Sequence, residues 1–63
     1  MSDFTLNGGG TIYLLRPQTE AARDWVDTYL PDDAQWLGGA VAIEHRYVGD
    51  IIDGITADGL EVS

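Results

Sequence analysis

The chemistry open to this chain rests on eleven carboxylates and a single histidine. Cysteine is absent, so no thiolate can attack a substrate or hold zinc, and no disulfide can staple the fold. A nucleophilic triad around His45 would have to recruit Ser2 or Ser63, both at fraying ends of the chain, or a threonine. His45 therefore reads as a surface or helix-start residue, no catalytic residue is assigned, and the chain is not expected to be an enzyme. Carboxylates also bind metals. Asp53, Asp58 and Glu61 surround a glycine-containing segment, but a calcium loop needs oxygen ligands at alternate positions. Gly54-Ile55-Thr56 breaks that pattern directly after Asp53. The pair Asp32-Asp33 suits a turn, where aspartate bonds to its own backbone. No metal and no cofactor are expected.

The spacing of the carboxylates points elsewhere. Glu20, Asp24 and Asp27 recur at i, i+4 and i+7, which aligns them along one side of a helix. Neighbours at such spacing have Cβ atoms about 5–6 Å apart, and duplex DNA carries one charge per roughly 1.7 Å of axis. A row of this kind, continued by Asp32 and Asp33 and joined by Asp50 and Asp53 on a second helix, can imitate a short strip of phosphate backbone. These seven residues are the candidate partner-binding set. A merely solvated helix face is the competing explanation. Two details weigh against it: eight of the eleven acids are aspartate, a poorer helix former than glutamate, and Asp27 falls in a last helical turn, where the helix dipole disfavours negative charge.

Against these acids stand three arginines and no lysine, giving a formal net charge of −8. Such a field repels nucleic acid and anionic membranes and attracts basic protein surfaces. The expected partner is a basic protein surface, with no nucleic acid bound directly and no membrane. No apolar run approaches the roughly 18 residues of a membrane span. The start Met1-Ser2-Asp3 lacks the basic region of a signal peptide, so the chain reads as cytoplasmic.

The elements that must position these residues fit one domain over 1–63, near the lower limit for folding unaided. A hydrophobic fraction of 44% is too high for a disordered acidic tail. The expected folded surface is about 4,000 Å², and the expected state is a monomer or weak dimer. Phe4-Thr5-Leu6, then Asn7-Gly8-Gly9-Gly10, then Thr11–Arg16 predict a hairpin stopped by Pro17. The glycines lack the lysine and following helix of a phosphate loop. Thr19 caps a helix whose apolar stripe is Ala22, Trp25, Val26, Tyr29 and Leu30, and Pro31 ends it. Arg23 lies within helical reach of Glu20 and Asp27. Residues 31–36 read as a turn or a single helical turn, Gly38-Gly39 as a break, and Ala40–Ile43 as a buried strand. A second helix begins near Arg46, buries Val48, Ile51, Ile52 and Ile55, and ends at Asp58-Gly59. Leu60-Glu61-Val62 closes as a short strand. The fold class is α+β in the order β-β-α-β-α-β, a small, mostly antiparallel sheet with two helices on one face. Gly49 and Gly54 inside the second helix permit close packing or leave room for a partner. Trp36 serves either as a core plug or as an interface contact.

The stretches Thr11–Trp25, Leu30–Ala34, Ile43–Tyr47 and Asp58–Leu60 resemble a group of small acidic proteins carried by phages and mobile elements. Within it, the chain resembles, over nearly its whole length, the anti-CRISPR proteins directed at the type I-C system. The resemblance implies inhibition of Cascade, the RNA-guided surveillance complex, by an acidic surface that mimics DNA and docks on the large subunit that reads the flanking motif. It supplies no residue list; the seven positions above come from charge and spacing. Two alternatives stay open: an acidic mimic against a restriction enzyme or regulator, and a non-catalytic structural or assembly protein of a phage.

Overall fold

In the computed structural model, which describes residues 2–63, every strand is antiparallel to its neighbours in a four-stranded sheet. The strands are β1 (Phe4–Gly9), β2 (Ile12–Pro17), β3 (Trp36–Leu37) and β4 (Ala40–Glu44), and their order across the sheet is β1-β2-β4-β3. Helix α1 (Glu20–Tyr29) follows β2, and α2 (His45–Ala57) follows β4 with no intervening residue. The accessible surface is 4,121 Å².

The first hairpin turns at Gly10-Thr11, later than the glycine run suggests, because Gly8 and Gly9 stay in register opposite Tyr13 and Ile12. Gly8 holds φ +113°, and a Cβ there would stand 2.8 Å from the Ile12 carbonyl oxygen, so the strand tolerates only glycine at this point. Two features differ from the sequence expectation. Trp36, expected at the end of a turn, forms with Leu37 the short strand β3, and Gly38-Gly39 is the two-residue loop that joins it to β4. Both glycines have positive φ, 57° and 83°, the requirement of a type I′ hairpin turn. The closing strand at Leu60–Val62 reduces to one parallel bridge, Val62 with Phe4. Leaving α2, the chain runs alongside the β1 edge, where the Phe4 and Leu6 amides donate to the Glu61 and Ser63 carbonyls.

One face of the sheet carries the core. Register places Leu6, Leu15 and Val41 in a row, with Phe4 opposite Pro17 and Tyr13 opposite Ile43. Against this face pack Ala22, Trp25 and Val26 of α1 and Ile55 of α2, with Val48 and Ile51 half-buried beside them. Both helices thus lie on the same side of the sheet, as the patterning predicts. Trp25 anchors the joint between them. Its ring meets Phe4 edge-on at 6.1 Å, leans on Tyr29 at 5.0 Å with the planes tilted by 40°, and donates its indole N–H to Asp58 Oδ2 at 2.7 Å. Since Trp25 meets the end of α2 while Leu30 lies by its first half, the helices run antiparallel.

Caps fix the helix ends. Thr19 Oγ1 accepts from the Ala22 amide at 3.1 Å and donates to Asp3 Oδ1 at 2.9 Å. At the end of α2, the Leu60 amide donates to the Ile55 carbonyl and Gly59 to Thr56, a Schellman motif with Gly59 at φ +82°. The two glycines of α2 differ. A Cβ on Gly54 would stand 3.3 Å from Trp25 Cζ2, so its bareness admits the indole; Gly49 faces open space. Gly49→Ala should therefore raise stability by about 0.5–1 kcal/mol, through helix propensity alone. Gly54→Ala should gain less or lose, because the indole must give way. Parallel urea titrations of the two variants check this, and an equal gain in both would contradict the packing role of Gly54.

Candidate partner-binding surface

The eleven carboxylates divide by what they touch. Three serve the fold. Asp3 accepts from Thr19 Oγ1 and, through Oδ2, from the Glu61 amide at 3.0 Å, tying the N-cap of α1 and the closing segment to the first strand. Asp58 holds the Trp25 indole. Glu44 pairs with Arg46 at 2.9 Å, an ion pair with both side chains largely in solvent and hence of small energetic weight.

The other acids make no such contacts. Among the described residues, Glu20, Asp24, Asp27, Asp32, Asp33, Asp50 and Asp53 accept no side-chain hydrogen bond and join no ion pair, and neither does Glu61. All seven candidate positions are exposed. The expected pairing of Arg23 with Glu20 or Asp27 does not form. The α1 row therefore faces water without an internal counter-charge, which is the state a surface must be in to bind an external cation at low desolvation cost.

The fold assembles the row in a particular way. Glu20, Asp24 and Asp27 lie on the side of α1 opposite its buried Ala22, Trp25 and Val26, and therefore away from the sheet. Asp32 and Asp33 follow Pro31 in the turn that leaves α1. That turn sits by the first half of α2, because Pro31 and Ala34 share a cleft with Tyr47, Asp50 and Ile51. Asp53 follows one turn along α2. Asp27 also borders a shallower hollow with Arg23, Trp36, Pro17 and Gly39, on the flank of α1 towards β3. The carboxylates thus cover the outside of the helical layer and spill over its β3 flank; they do not form a single straight file.

The opposite face of the sheet is different in kind. Arg16 donates from Nη1 to the Gly38 carbonyl at 2.7 Å, reaching across β4 and past Ala40, which is buried yet outside the core cluster. Ile12 and Leu37 are exposed there. Trp36, on β3, is 46% exposed, so it plugs no core. His45 is the exposed first residue of α2, and its amide donates to the Thr11 carbonyl. Among the described residues no three His, Asp or Glu side chains converge on a possible metal position. No helix is long and apolar enough to cross a membrane.

Sequence reasoning missed the cleft itself. It holds about 340 Å³ between the end of α1, the 31–34 turn, β4 and α2. Leu30, Val41, Ile43, Asp50 and Ile51 of its lining were each picked out singly by sequence pattern, but nothing local showed that they enclose one cleft.

Fold and surface together define a small two-layer α+β domain with an anionic helical layer. Comparison with known proteins finds no family model, no curated protein and no solved structure that matches the chain.

Proposed function

We propose that this protein is a stoichiometric inhibitor that occupies a basic DNA-binding surface on the type I-C Cascade complex and so blocks target DNA binding. The observation that carries the reading is the division of the carboxylates. Asp3, Asp58 and Glu44 are used by the fold, whereas the seven candidates are unpaired and exposed, five of them carried by two helices that pack on one sheet and two, Asp32 and Asp33, by the turn that leaves α1. Each acts as a phosphate surrogate for a lysine or arginine of the large subunit. The resemblance in sequence to anti-CRISPR proteins selects the target, and the site of action is then the cytoplasm of the host bacterial cell. Complementary charge mainly raises the association rate, so binding is fast and weakens with salt.

A gel shift of target duplex DNA by purified type I-C Cascade tests this directly. With a saturating amount of the protein present, the shifted band should disappear. A shift that survives would overturn competition for DNA and leave nuclease recruitment, or another basic partner, as the point of action.

A further inference from the structure

The cleft beneath the acidic layer differs from the surface around it. Its lining is Leu30, Pro31, Ala34, Val41, Ile43, Tyr47 and Ile51, with Ala42, Glu44 and Asp50 completing the wall. Its 340 Å³ falls at the small end of the range of about 300–1,000 Å³ typical of ligand clefts. Arg46 neutralises Glu44 and stacks over the Tyr47 ring at 4.8 Å, so the unpaired charge at the wall is Asp50. Asp32 and Asp33 are exposed in the turn between Pro31 and Ala34, the two turn residues that line the cleft. The arrangement is an apolar socket bordered by carboxylates.

A phosphate surrogate needs no such socket. From it we infer that the surface docks a partner polypeptide by inserting one bulky aliphatic or aromatic side chain of that partner between the 30–34 turn and the first half of α2. An arginine or lysine beside the inserted residue pairs with Asp50 and the Asp32-Asp33 turn. Charge selects this occupant. Nucleic acid is repelled and has no apolar group to offer at its backbone, and a second copy of this chain brings eight further net negative charges. A basic segment with one large apolar residue satisfies both floor and border, and a buried anchor ringed by polar contacts is the usual core of a protein interface. The inference rests on the reading of a basic protein partner and adds that recognition is not purely electrostatic.

Two synthetic peptides test it without Cascade: Gly-Arg-Trp-Arg-Gly and Gly-Arg-Gly-Arg-Gly, titrated into the isotopically labelled protein and followed by amide chemical shifts. The tryptophan peptide should move the resonances of Ala34, Ile43, Tyr47 and Ile51 and bind at least about fivefold more tightly than its glycine counterpart. Tyr47→Ala, at a half-exposed position, should remove that advantage while the rest of the amide spectrum stays in place. Ala34→Phe, which fills the socket, provides a second check should Tyr47→Ala disturb the fold. Equal binding of the two peptides with shifts only at the carboxylate-bearing residues would overturn the inference, as would failure of both to bind. Either result leaves the Cascade gel shift to be decided separately.

Discussion

Trp25→Ala should leave the domain largely unfolded at room temperature. Truncating a buried tryptophan costs about 3–5 kcal/mol, and a core of this size rarely supplies more than about 3–5 kcal/mol in all. The indole fills the joint between α1 and α2, meets Phe4 of β1, leans on Tyr29 and reaches Asp58 beyond the end of α2. Trp25→Phe separates the packing from the hydrogen bond. It keeps an aromatic ring against Phe4 but strands the Asp58 carboxylate, which is exposed and regains water, so its hydrogen-bond loss should be about 1 kcal/mol or less. Circular dichroism during thermal melting distinguishes the two variants. A cooperative melt for Trp25→Ala near that of the parent would mean the helical layer does not depend on this ring.

The second large effect is on recognition. The triple variant Asp24→Asn, Asp27→Asn, Asp33→Asn removes three of the eleven negative charges and leaves a formal net charge of −5. None of the three side chains makes a hydrogen bond or ion pair within the described residues, so the fold should persist. Its association rate with Cascade at low salt should fall by about tenfold or more, and its dependence on ionic strength should flatten. Placement matters as well as total charge. A control that converts Glu61 to glutamine removes one charge from outside the proposed surface, and should cost much less. Stopped-flow or surface-binding kinetics across a salt series reads both. If the triple variant associates as fast as the parent, phosphate mimicry by this layer is wrong.

How far the sequence could be read depended on how far apart the interacting residues lie. The hairpin, both helices and their shared sheet face follow from patterns a few residues long: Asn7 and the glycines after it, the 3.6-residue periodicity from Ala22 to Leu30, and the stripe from Val48 to Ile55. The strand β3 was harder to see, because two residues carry no periodicity. Its signal was the Gly38-Gly39 pair between Trp36-Leu37 and Ala40-Val41, a hairpin turn that also reads as a break. The expected closing strand shortens to a single bridge at Val62, flanked by the Glu61 and Ser63 carbonyls on the Phe4 and Leu6 amides, and the Glu61 amide turns to the Asp3 carboxylate instead. The exposure of Glu20, Asp24, Asp27, Asp50 and Asp53 was legible from helical spacing, and that of Asp32 and Asp33 from the turn after Pro31. The roles of Asp3 and Asp58 were not, since their partners stand 58 and 33 residues away in sequence. The cleft was hidden for the same reason: its walls come from four separate elements, and its volume is set by how they fail to meet.

The direct passage of β4 into α2, with Glu44 as the last strand residue and His45 the first of the helix, bears on the entropy of complex formation. No connecting residues exist over which α2 could swing, and its far end is held by the Schellman turn and the Trp25 bond. The backbone beneath Asp50 and Asp53 is thus ordered before any partner arrives, and association need not freeze it at a cost of about 1–2 kcal/mol per residue. What remains to be immobilised is the side chains, and there the choice of acid matters. Aspartate has one fewer rotatable bond than glutamate and less freedom to lose. Six of the seven proposed contact residues are aspartates. The helical strength surrendered by that choice is returned as rigidity at the moment of binding.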